Sequence, residues 1–290
     1  MTPEIIVNID TDVGENPLWH KKENSLLWCD IPHIRHKEGF IYSYQENTGK
    51  FSTLYRGRPV GGFTLQEDDS LVLFMDKGAI AILDNGGMRY IIDEIPEERK
   101  TRFNDVIADP RGRVFCGTMQ TSENAYDGRF YRLDTNGTIH LIADGIGVSN
   151  GIGFNNNLDL MYYTDSITGE IYVFDYDIDT GNVNNRRVFL KFDKKEGVPD
   201  GLTVDAEGYV WTALAHTSLI VRYSPNGEMV QQIKFPTKDV TSLIFGGVDY
   251  KTIYVTSAGL EEPIQDNPAG GVFKINTDIK GKPEFFSRIE

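Results

Sequence analysis

A pattern of two short apolar runs separated by a polar turn is repeated along the whole chain, and it restricts the possible folds more than any other feature. In one copy, the runs Ile152–Phe154 and Leu160–Tyr163 flank the polar turn Asn155–Asn157. The copies recur at intervals of roughly 40–50 residues, a period typical of repeat architectures. The first residue of each copy is here called its anchor, and the six anchors are Glu15, Gly61, Asn104, Asn150, Asp200 and Thr241.

Each copy is followed by two more apolar runs joined by an Asn, Asp or Gly turn, which is a hairpin pattern. Four antiparallel strands in each of six repeats predict an all-β fold, a six-bladed β-propeller that forms a single domain over residues 1–290. The run Glu4–Asp10 precedes the first repeat, and we expect it to complete the last blade and close the ring, which removes an exposed sheet edge. The run Pro283–Ser287 is predicted as a strand of the sixth repeat.

Composition excludes several classes of partner. The formal net charge of −14 argues against nucleic acids and anionic membrane surfaces, which bind Lys and Arg patches. No apolar run approaches the roughly 18 residues of a membrane span. Cys29 and Cys116 lie in apolar runs, so we expect buried thiols rather than a disulfide. Residues Met1–Asp10 lack the basic and apolar regions of a secretory leader, which favours a cytoplasmic location. The sequence makes no prediction of the oligomeric state.

The topology of a propeller blade decides which residues can share a site. The anchors open the innermost strands, so we expect them to converge at one mouth of the central channel. The connections expected to rim that mouth are Ile31–Glu38, Met119–Asp127, Asp165–Thr168, Ala215–Ser218 and Ser257–Ala269. The turns that begin at Asp109 and Asp205 belong to the opposite face, where we expect their carboxylates to cap the turns rather than to bind a metal.

Four of the anchors carry carboxylate or amide oxygens: Glu15, Asn104, Asn150 and Asp200. Two carboxylates that face each other repel, and a cation between them relieves that repulsion. Carboxylate and amide oxygens without thiolates fit Ca²⁺, Mg²⁺ or Mn²⁺, whereas Zn²⁺ would lack its usual His or Cys. The alternative is that these side chains only cap the ends of their strands.

Four motifs, in order and at propeller spacing, resemble the senescence marker protein/regucalcin, gluconolactonase and luciferin-regenerating enzyme family. They are G-E-N-P-L-W at Gly14–Trp19, R-F-N-D at Arg102–Asp105 with D-P-R-G-R-V-F-C-G-T-M at Asp109–Met119, S-N-G-I-G-F at Ser149–Phe154 and P-D-G-L-T-V-D-A-E-G-Y-V-W at Pro199–Trp211. The resemblance runs from about Val13 to Ile275, and it implies a six-bladed propeller with one divalent cation in its channel. It also implies metal ligands at Glu15, Asn150 and Asp200 and substrate contacts at Arg102 and Asn104.

The chain departs from that family's pattern at one position. Some mammalian members have a substrate-contacting glutamate shortly after the G-T-M motif, and this position falls here on Ser122, with Glu123 next to it. The substrate of those members is therefore not carried over to this chain.

These observations predict a metal-dependent hydrolase that opens a sugar lactone, as a gluconolactonase does. The cation, Ca²⁺ first and Mg²⁺, Mn²⁺ or Zn²⁺ as alternatives, would polarise the carbonyl and hold the attacking water, with Asp200 as general base. Arg102 and Asn104 would orient the small-molecule lactone or ester.

Three alternatives remain open at this point. One is a non-catalytic calcium-binding regulator, another is an interaction propeller, and the third is an esterase or lactonase acting on a non-sugar substrate. Among the histidines, His216 lies in a rim connection and could be a substrate contact or a proton shuttle, although a solvated loop residue is the simpler interpretation. The long connection Ser257–Ala269 could act as a lid.

Overall fold

Short strands joined by tight turns make up nearly all of the chain. The computed structural model describes residues 2–120, 126–193, 195–259 and 268–290. Within these ranges the strands form six four-stranded antiparallel sheets, and the single helical segment is a 3₁₀ turn at Pro96–Glu98. No helix in the same ranges is long and apolar enough to cross a membrane. The predicted six-bladed β-propeller is confirmed.

Two compact units contain three blades each. Unit 1 comprises Met1–Pro59 and Leu190–Pro283. Its first blade is formed by β2 (Val13–His20), β3 (Ser25–Ile31), β4 (Gly39–Gln45) and β5 (Lys50–Gly57). Its second contains β18 (Val198–Val204), β19 (Val210–Ala215), β20 (Leu219–Tyr223) and β21 (Met229–Lys234). Its third contains β22 (Val240–Gly246), β23 (Thr252–Ser257), β24 (Val272–Asn276) and the N-terminal strand β1 (Glu4–Val7).

Unit 2 comprises Val60–Phe189 and Glu284–Glu290. One blade is formed by β6 (Val60–Leu65), β7 (Leu71–Met75), β8 (Ile80–Asp84) and β9 (Gly87–Ile92). The next contains β10 (Thr101–Ala108), β11 (Val114–Gln120), β12 (Gly128–Leu133) and β13 (Ile139–Ile146). The last contains β14 (Ser149–Phe154), β15 (Leu160–Asp165), β16 (Glu170–Tyr176) and β17 (Val183–Lys191), of which the final two residues fall in the range of unit 1.

The N-terminal strand takes the outer position of the blade that contains β22–β24, as predicted. Ile5 lies opposite Phe273 in the antiparallel pair of β1 and β24, and β1 ends at Val7 rather than at Asp10. The strand predicted at Pro283–Ser287 is wrong, because β1 already occupies the fourth place of that sheet. The end of the chain packs in unit 2 instead, where the Ser287 backbone N–H donates to the Leu65 carbonyl at 2.9 Å.

Every innermost strand is interrupted at its anchor by an irregularity in the strand register. In β18, Pro199 lies opposite Leu214 and Leu202 lies opposite Thr212, so that Asp200 and Gly201 share one partner residue. A β-bulge of this kind bends the strand and re-aims the side chains beside it. The anchors are therefore distinguished by backbone geometry as well as by their chemistry.

The glycine anchor Gly61 is explained by packing within unit 2. A Cβ atom at this position would lie 1.9 Å from the backbone oxygen of Phe103 and 2.5 Å from its carbonyl carbon. Because backbone atoms cannot move aside as a flexible side chain can, only glycine allows β10 to approach β6 this closely. The absence of a functional side chain at this anchor is thus a requirement of the fold.

Two buried acids cap turns, as the sequence predicted. Asp109 Oδ1 accepts hydrogen bonds from the backbone N–H groups of Arg111 and Arg113, and Asp109 Oδ2 accepts one from Arg113 Nε at 2.6 Å. Asp205 makes the equivalent bonds to its own turn and accepts another from Trp211 Nε1 at 3.0 Å. These carboxylates have a structural role, because buried hydrogen-bond acceptors need donors and here the donors are the N–H groups of the turns and of nearby side chains. Cys29 and Cys116 are free and buried, as expected.

We predict that Gly61→Ala destabilises the protein by about 3 kcal/mol or more, because the new methyl group overlaps the Phe103 carbonyl and forces the backbones apart. Urea unfolding followed by tryptophan fluorescence measures the change. Gly86→Ala is the matched control, because the nearest atom to its Cβ would be a movable Asp84 carboxylate oxygen at 3.1 Å. Equal stabilities of the two variants would contradict the packing explanation.

Candidate functional site

Unit 2 brings three of the predicted site residues into one row of hydrogen bonds. Arg102 Nη1 donates to Asn104 Oδ1 at 2.5 Å and to the Phe103 carbonyl at 3.0 Å. Asn104 Nδ2 then donates to Asn150 Oδ1 at 3.1 Å and to the Ser149 carbonyl at 2.7 Å. The two asparagines are on neighbouring innermost strands, β10 and β14, and both are buried. The row therefore fixes the orientation of both amides.

The far end of this row is held by a residue that sequence reasoning did not single out. Asn150 Nδ2 donates to Ser166 Oγ at 2.9 Å. This bond and the one from Asn104 together direct the Asn150 amide oxygen toward Asn104. Ser166 belongs to the connection Asp165–Thr168, which was predicted to rim the mouth, so its position in the sequence was the available signal.

Arg102 is the partly exposed member of the row. Its backbone also forms an isolated antiparallel bridge with Asp76, which joins the end of β7 to the start of β10. The backbone of Arg102 is therefore fixed at the start of the innermost strand β10. A positioned guanidinium group presents several N–H donors to a carboxylate or to neighbouring hydroxyls.

Unit 1 contains the two acidic anchors, and both are buried: Glu15 is 6% exposed and Asp200 is 9% exposed. They lie on β2 and β18, which both pack against β22. Glu15 Oε2 accepts the backbone N–H of Asn16 at 3.2 Å. Asn16 itself has a positive φ of 48°, so the chain turns sharply beside this carboxylate.

The donor chemistry of these anchors fits a hard cation. Glu15 and Asp200 supply carboxylate oxygens in unit 1, and the Asn150 amide oxygen has a second lone pair in addition to the one that receives the Asn104 hydrogen bond. Among the described residues, no group of three or more His, Cys, Asp or Glu side chains could hold a metal. A ligand set of two carboxylates and one amide contains only two such residues. The assignment of individual ligands stays a prediction.

The connection that follows β3 is held by a carboxylate that the sequence analysis missed. Asp12, which is fully buried, accepts backbone N–H bonds from four successive residues, His33, Ile34, Arg35 and His36, at 2.8–3.1 Å. Burial raises the pKa of Asp12, but the backbone donors of His33, His36 and Arg35 outweigh it and bring the pKa below its usual value. The only sequence signal was an acid just before the G-E-N-P-L-W motif.

A second buried acid lies beside Asp12. Asp30 Oδ1 accepts the backbone N–H groups of Asp12 and Val13, while its Oδ2 lies 3.7 Å from His36 Nε2. Burial raises the pKa of Asp30 to about 6, although His36 and the two backbone donors oppose this shift. Asp12 adds a smaller repulsion that raises the pKa further. Two buried carboxylates therefore lie near the start of β2, where Glu15 lies. The pKa of Asp12 is lowered and the pKa of Asp30 is raised.

The five histidines of the chain have separate environments. His20 is buried in β2, and His140 Nε2 lies 2.9 Å from Asp134 Oδ2 on the outer strand β13. His33 and His36 donate their backbone N–H groups to Asp12, as described above. His216 is half exposed, with a ring nitrogen on Asp239.

Some sequence predictions fall outside the described residues. Ser122 and Glu123, the positions where the family resemblance breaks, are among them. The same holds for residues 260–267 of the proposed lid Ser257–Ala269.

Comparison with known proteins connects this arrangement to one family. The model of the SMP-30/Gluconolactonase/LRE-like region matches residues 13–259. Pentonolactonase XacC from Haloferax volcanii is 36% identical over 300 residues, covering 100% of this chain and 99% of that protein. Regucalcin from Danio rerio is 33% identical over 97% of both chains. The crystal structure of a calcium-binding protein, regucalcin from Agrobacterium tumefaciens, shares the fold with a TM-score of 0.90 at 22% identity, over 98% of this chain and 97% of that one.

We predict that Asp30→Asn removes a pH-dependent loss of stability. Between the unfolded pKa of 3.8 and the folded value of about 6, the folded protein binds the extra proton, so the free energy of unfolding falls as pH rises through this window. From pH 4 to pH 7, the variant should gain about 2 kcal/mol relative to the wild type. Urea unfolding at a series of pH values measures the difference.

The cost of burying the new amide is the same at every pH, so the slope is diagnostic even if the variant is less stable overall. Asp278→Asn, an exposed acid in the same unit, is the control and should leave the slope unchanged. If the free energy of unfolding changes with pH equally in the wild type and in Asp30→Asn, the explanation is wrong.

Proposed function

This chain belongs to the SMP-30/Gluconolactonase/LRE-like family, and from that premise we propose that it is a divalent-metal-dependent lactonase that opens a sugar lactone. The observation that carries the proposal is the set of buried oxygen donors at four of the six bulged anchors, Glu15, Asn104, Asn150 and Asp200. Sequence similarity to a pentonolactonase, which extends over the entire chain at 36% identity, supports the assignment to the lactonases. The proposed substrate is a small-molecule lactone or ester.

The residues assigned to the cation are Glu15, Asn150 and Asp200. When bound, a divalent cation would polarise the lactone carbonyl and lower the pKa of a water molecule. Oxygen donors favour Ca²⁺, Mg²⁺ or Mn²⁺, and we place Ca²⁺ first because a regucalcin of the same fold is described as calcium-binding. Zn²⁺ is the least favoured of the four, since its usual His and Cys ligands are absent from this set.

Asp200 is the proposed general base. Its carboxylate takes a proton from the attacking water as the new bond to the carbonyl carbon forms. The bond between that carbon and the ring oxygen then breaks, and the Asp200 carboxyl returns the proton to the ring oxygen, which leaves as a hydroxyl. The product is an open-chain hydroxy acid, so one water is consumed for each lactone opened.

Arg102 and Asn104 are the proposed substrate contacts. Arg102 is partly exposed and donates to Asn104, and a guanidinium group with several N–H donors suits a lactone hydroxyl or the carboxylate of the product. Asn104 links this contact to the proposed ligand Asn150 through its Nδ2 group. The hydrogen-bonded row would couple substrate orientation to ligand orientation.

A cytoplasmic location is also proposed. Cys29 and Cys116 are both free and buried, which is the ordinary condition of cysteines in a reducing compartment.

We predict that removal of divalent cations abolishes hydrolysis of D-glucono-δ-lactone, and that addition of one cation from the series Ca²⁺, Mg²⁺, Mn²⁺ and Zn²⁺ restores it. Proton release measured with a pH indicator gives the rate, and calorimetry gives metal affinity. Asp200→Asn keeps an oxygen ligand but loses the proton acceptor, so turnover should fall about 10²–10⁴-fold with a smaller change in metal affinity.

Glu15→Gln separates binding from chemistry, because excess metal should restore most of its turnover. Asp249→Asn, an exposed acid of the same unit, is the control. Wild-type turnover by Asp200→Asn would refute its role as base. Tight cation binding without hydrolysis of any lactone would instead indicate a regulator.

A separate prediction concerns the row in unit 2. Asn104→Ala removes the donor to Asn150 Oδ1, which leaves the Asn150 amide less well oriented. Metal affinity should fall about tenfold, as it does when partners of metal ligands are removed. Calorimetric titration measures this loss, and Asn136→Ala in an exposed turn serves as control. Unchanged metal affinity would show that Asn150 is oriented without Asn104, or that it is not a ligand.

A further inference from the structure

His216 is an exposed ring held in place by a buried acid. Its Nδ1 lies 2.6 Å from Asp239 Oδ1, and its backbone N–H donates to the same oxygen at 3.0 Å. The His216 side chain is 57% exposed, while that of Asp239 is only 9% exposed. The carboxylate therefore belongs to the scaffold and the imidazole faces outward from it.

The loop that carries this ring is held in an unusual backbone conformation. His216 and Ser218 both have positive φ angles, 68° and 66°, a region that only a few per cent of non-glycine residues adopt, with Asn, Asp and His the most frequent. Hydrogen bonds fix the loop on both sides: Thr217 Oγ1 donates to the Leu214 carbonyl at 2.7 Å, and the Ser218 N–H donates to the Lys238 carbonyl at 2.9 Å. Backbone strain that the surroundings maintain in this way is characteristic of functional positions.

The pairing with Asp239 decides which ring nitrogen is available. A carboxylate only accepts hydrogen bonds, so Nδ1 carries the proton and donates it to Asp239. In the neutral ring, Nε2 is then an acceptor on the opposite edge. The result is a hydrogen-bond acceptor of fixed direction on an exposed side chain.

The position of His216 relates it to Asp200 within a single blade of unit 1. Val198 pairs with Ala215, the last residue of β19, so the turn that begins at His216 lies just beyond the start of β18. Asp200 lies at the bulge opposite Ala213, two residues before the end of β19. At ~3.3 Å per residue, Ala213 and Ala215 are about 7 Å apart along the strand. A sugar lactone bound with its carbonyl near Asp200 would extend over that distance.

We propose that His216 is a specificity-determining residue, whose Nε2 accepts a hydrogen bond from a lactone hydroxyl remote from the carbonyl, and that Asp239 is its positioning residue. This inference rests on the proposed lactonase function. It predicts selectivity for polyhydroxylated lactones over lactones with unsubstituted rings, because a site built to bond a hydroxyl discriminates against substrates that lack one.

Two substitutions separate the ring nitrogens. In His216→Asn, the amide nitrogen occupies the place of Nδ1 and can still donate to Asp239, and Asn tolerates the left-handed backbone. That variant removes Nε2 alone. In His216→Gln, the longer side chain returns an amide oxygen to the neighbourhood of Nε2. His140→Asn is the matched control, because His140 is also a half-exposed ring beside an aspartate, on the outer strand β13.

The measurement is kcat and KM for D-glucono-δ-lactone and for δ-valerolactone, the same ring without hydroxyls. For His216→Asn, we expect KM for the sugar lactone to rise about tenfold with kcat changed less than about twofold, as for a lost binding contact. The values for δ-valerolactone should not change. His216→Gln should recover part of the loss, and His140→Asn should behave as wild type.

Equal KM values in wild type and His216→Asn would overturn the inference, as would a parallel loss on both lactones with a lowered Tm, which indicates a structural role. Loss of kcat rather than a rise in KM would also overturn it. If the wild type hydrolyses neither lactone at any metal concentration, the proposed lactonase function itself fails. Failure of that function is thus distinguishable from failure of the His216 assignment.

Discussion

The β-bulge at each innermost strand is the constraint on which the rest of the structure depends. In an unbroken strand, successive side chains would alternate regularly between the two faces of the sheet, and every anchor side chain would point to one of these packed faces. The extra residue at Asp200 and Gly201 breaks that alternation, as does the extra residue at Asn104 and Asp105. Polar side chains can then occur on strands that are otherwise buried and apolar. At Gly61 the same geometry serves close packing, so the irregularity is a feature of the fold at anchors with and without polar side chains.

Several of the acidic side chains have a structural role, which is evident from their hydrogen-bond partners. Asp109 and Asp205 satisfy turn N–H groups, and Asp12 satisfies those of a whole connection. Asp165 does the same for the backbone of Gly147, Val148 and Ile167. Much of the negative charge therefore replaces backbone partners that short strands and tight turns leave unsatisfied. Net charge alone could not separate these structural acids from Glu15 and Asp200.

The architecture could be predicted from the sequence, and candidate site residues could be named from it, because both depend on local patterns. Repeated apolar runs define blades, and the anchors are recognised by their place in each repeat. The pairing of the N-terminal strand with the last blade followed from the need to close the ring, but other contacts between distant segments could not be predicted. The end of the chain packs beside Gln66 rather than forming a strand, because β1 already fills the sheet it was assigned to. The pairing of His216 with Asp239 likewise joins two loops whose proximity no local pattern records.

The pairing of β1 with β24 also has a consequence for how the protein is made. β1 finds its partner only after β24 has been synthesised, since Glu4 lies opposite Lys274. Until then, the blade that contains β22–β24 is incomplete and the edges of β1 remain exposed. Contacts between such distant segments slow folding, and unpaired edges promote association with other chains. The blade that holds β1 is therefore completed only after the strands of the other five blades have left the ribosome.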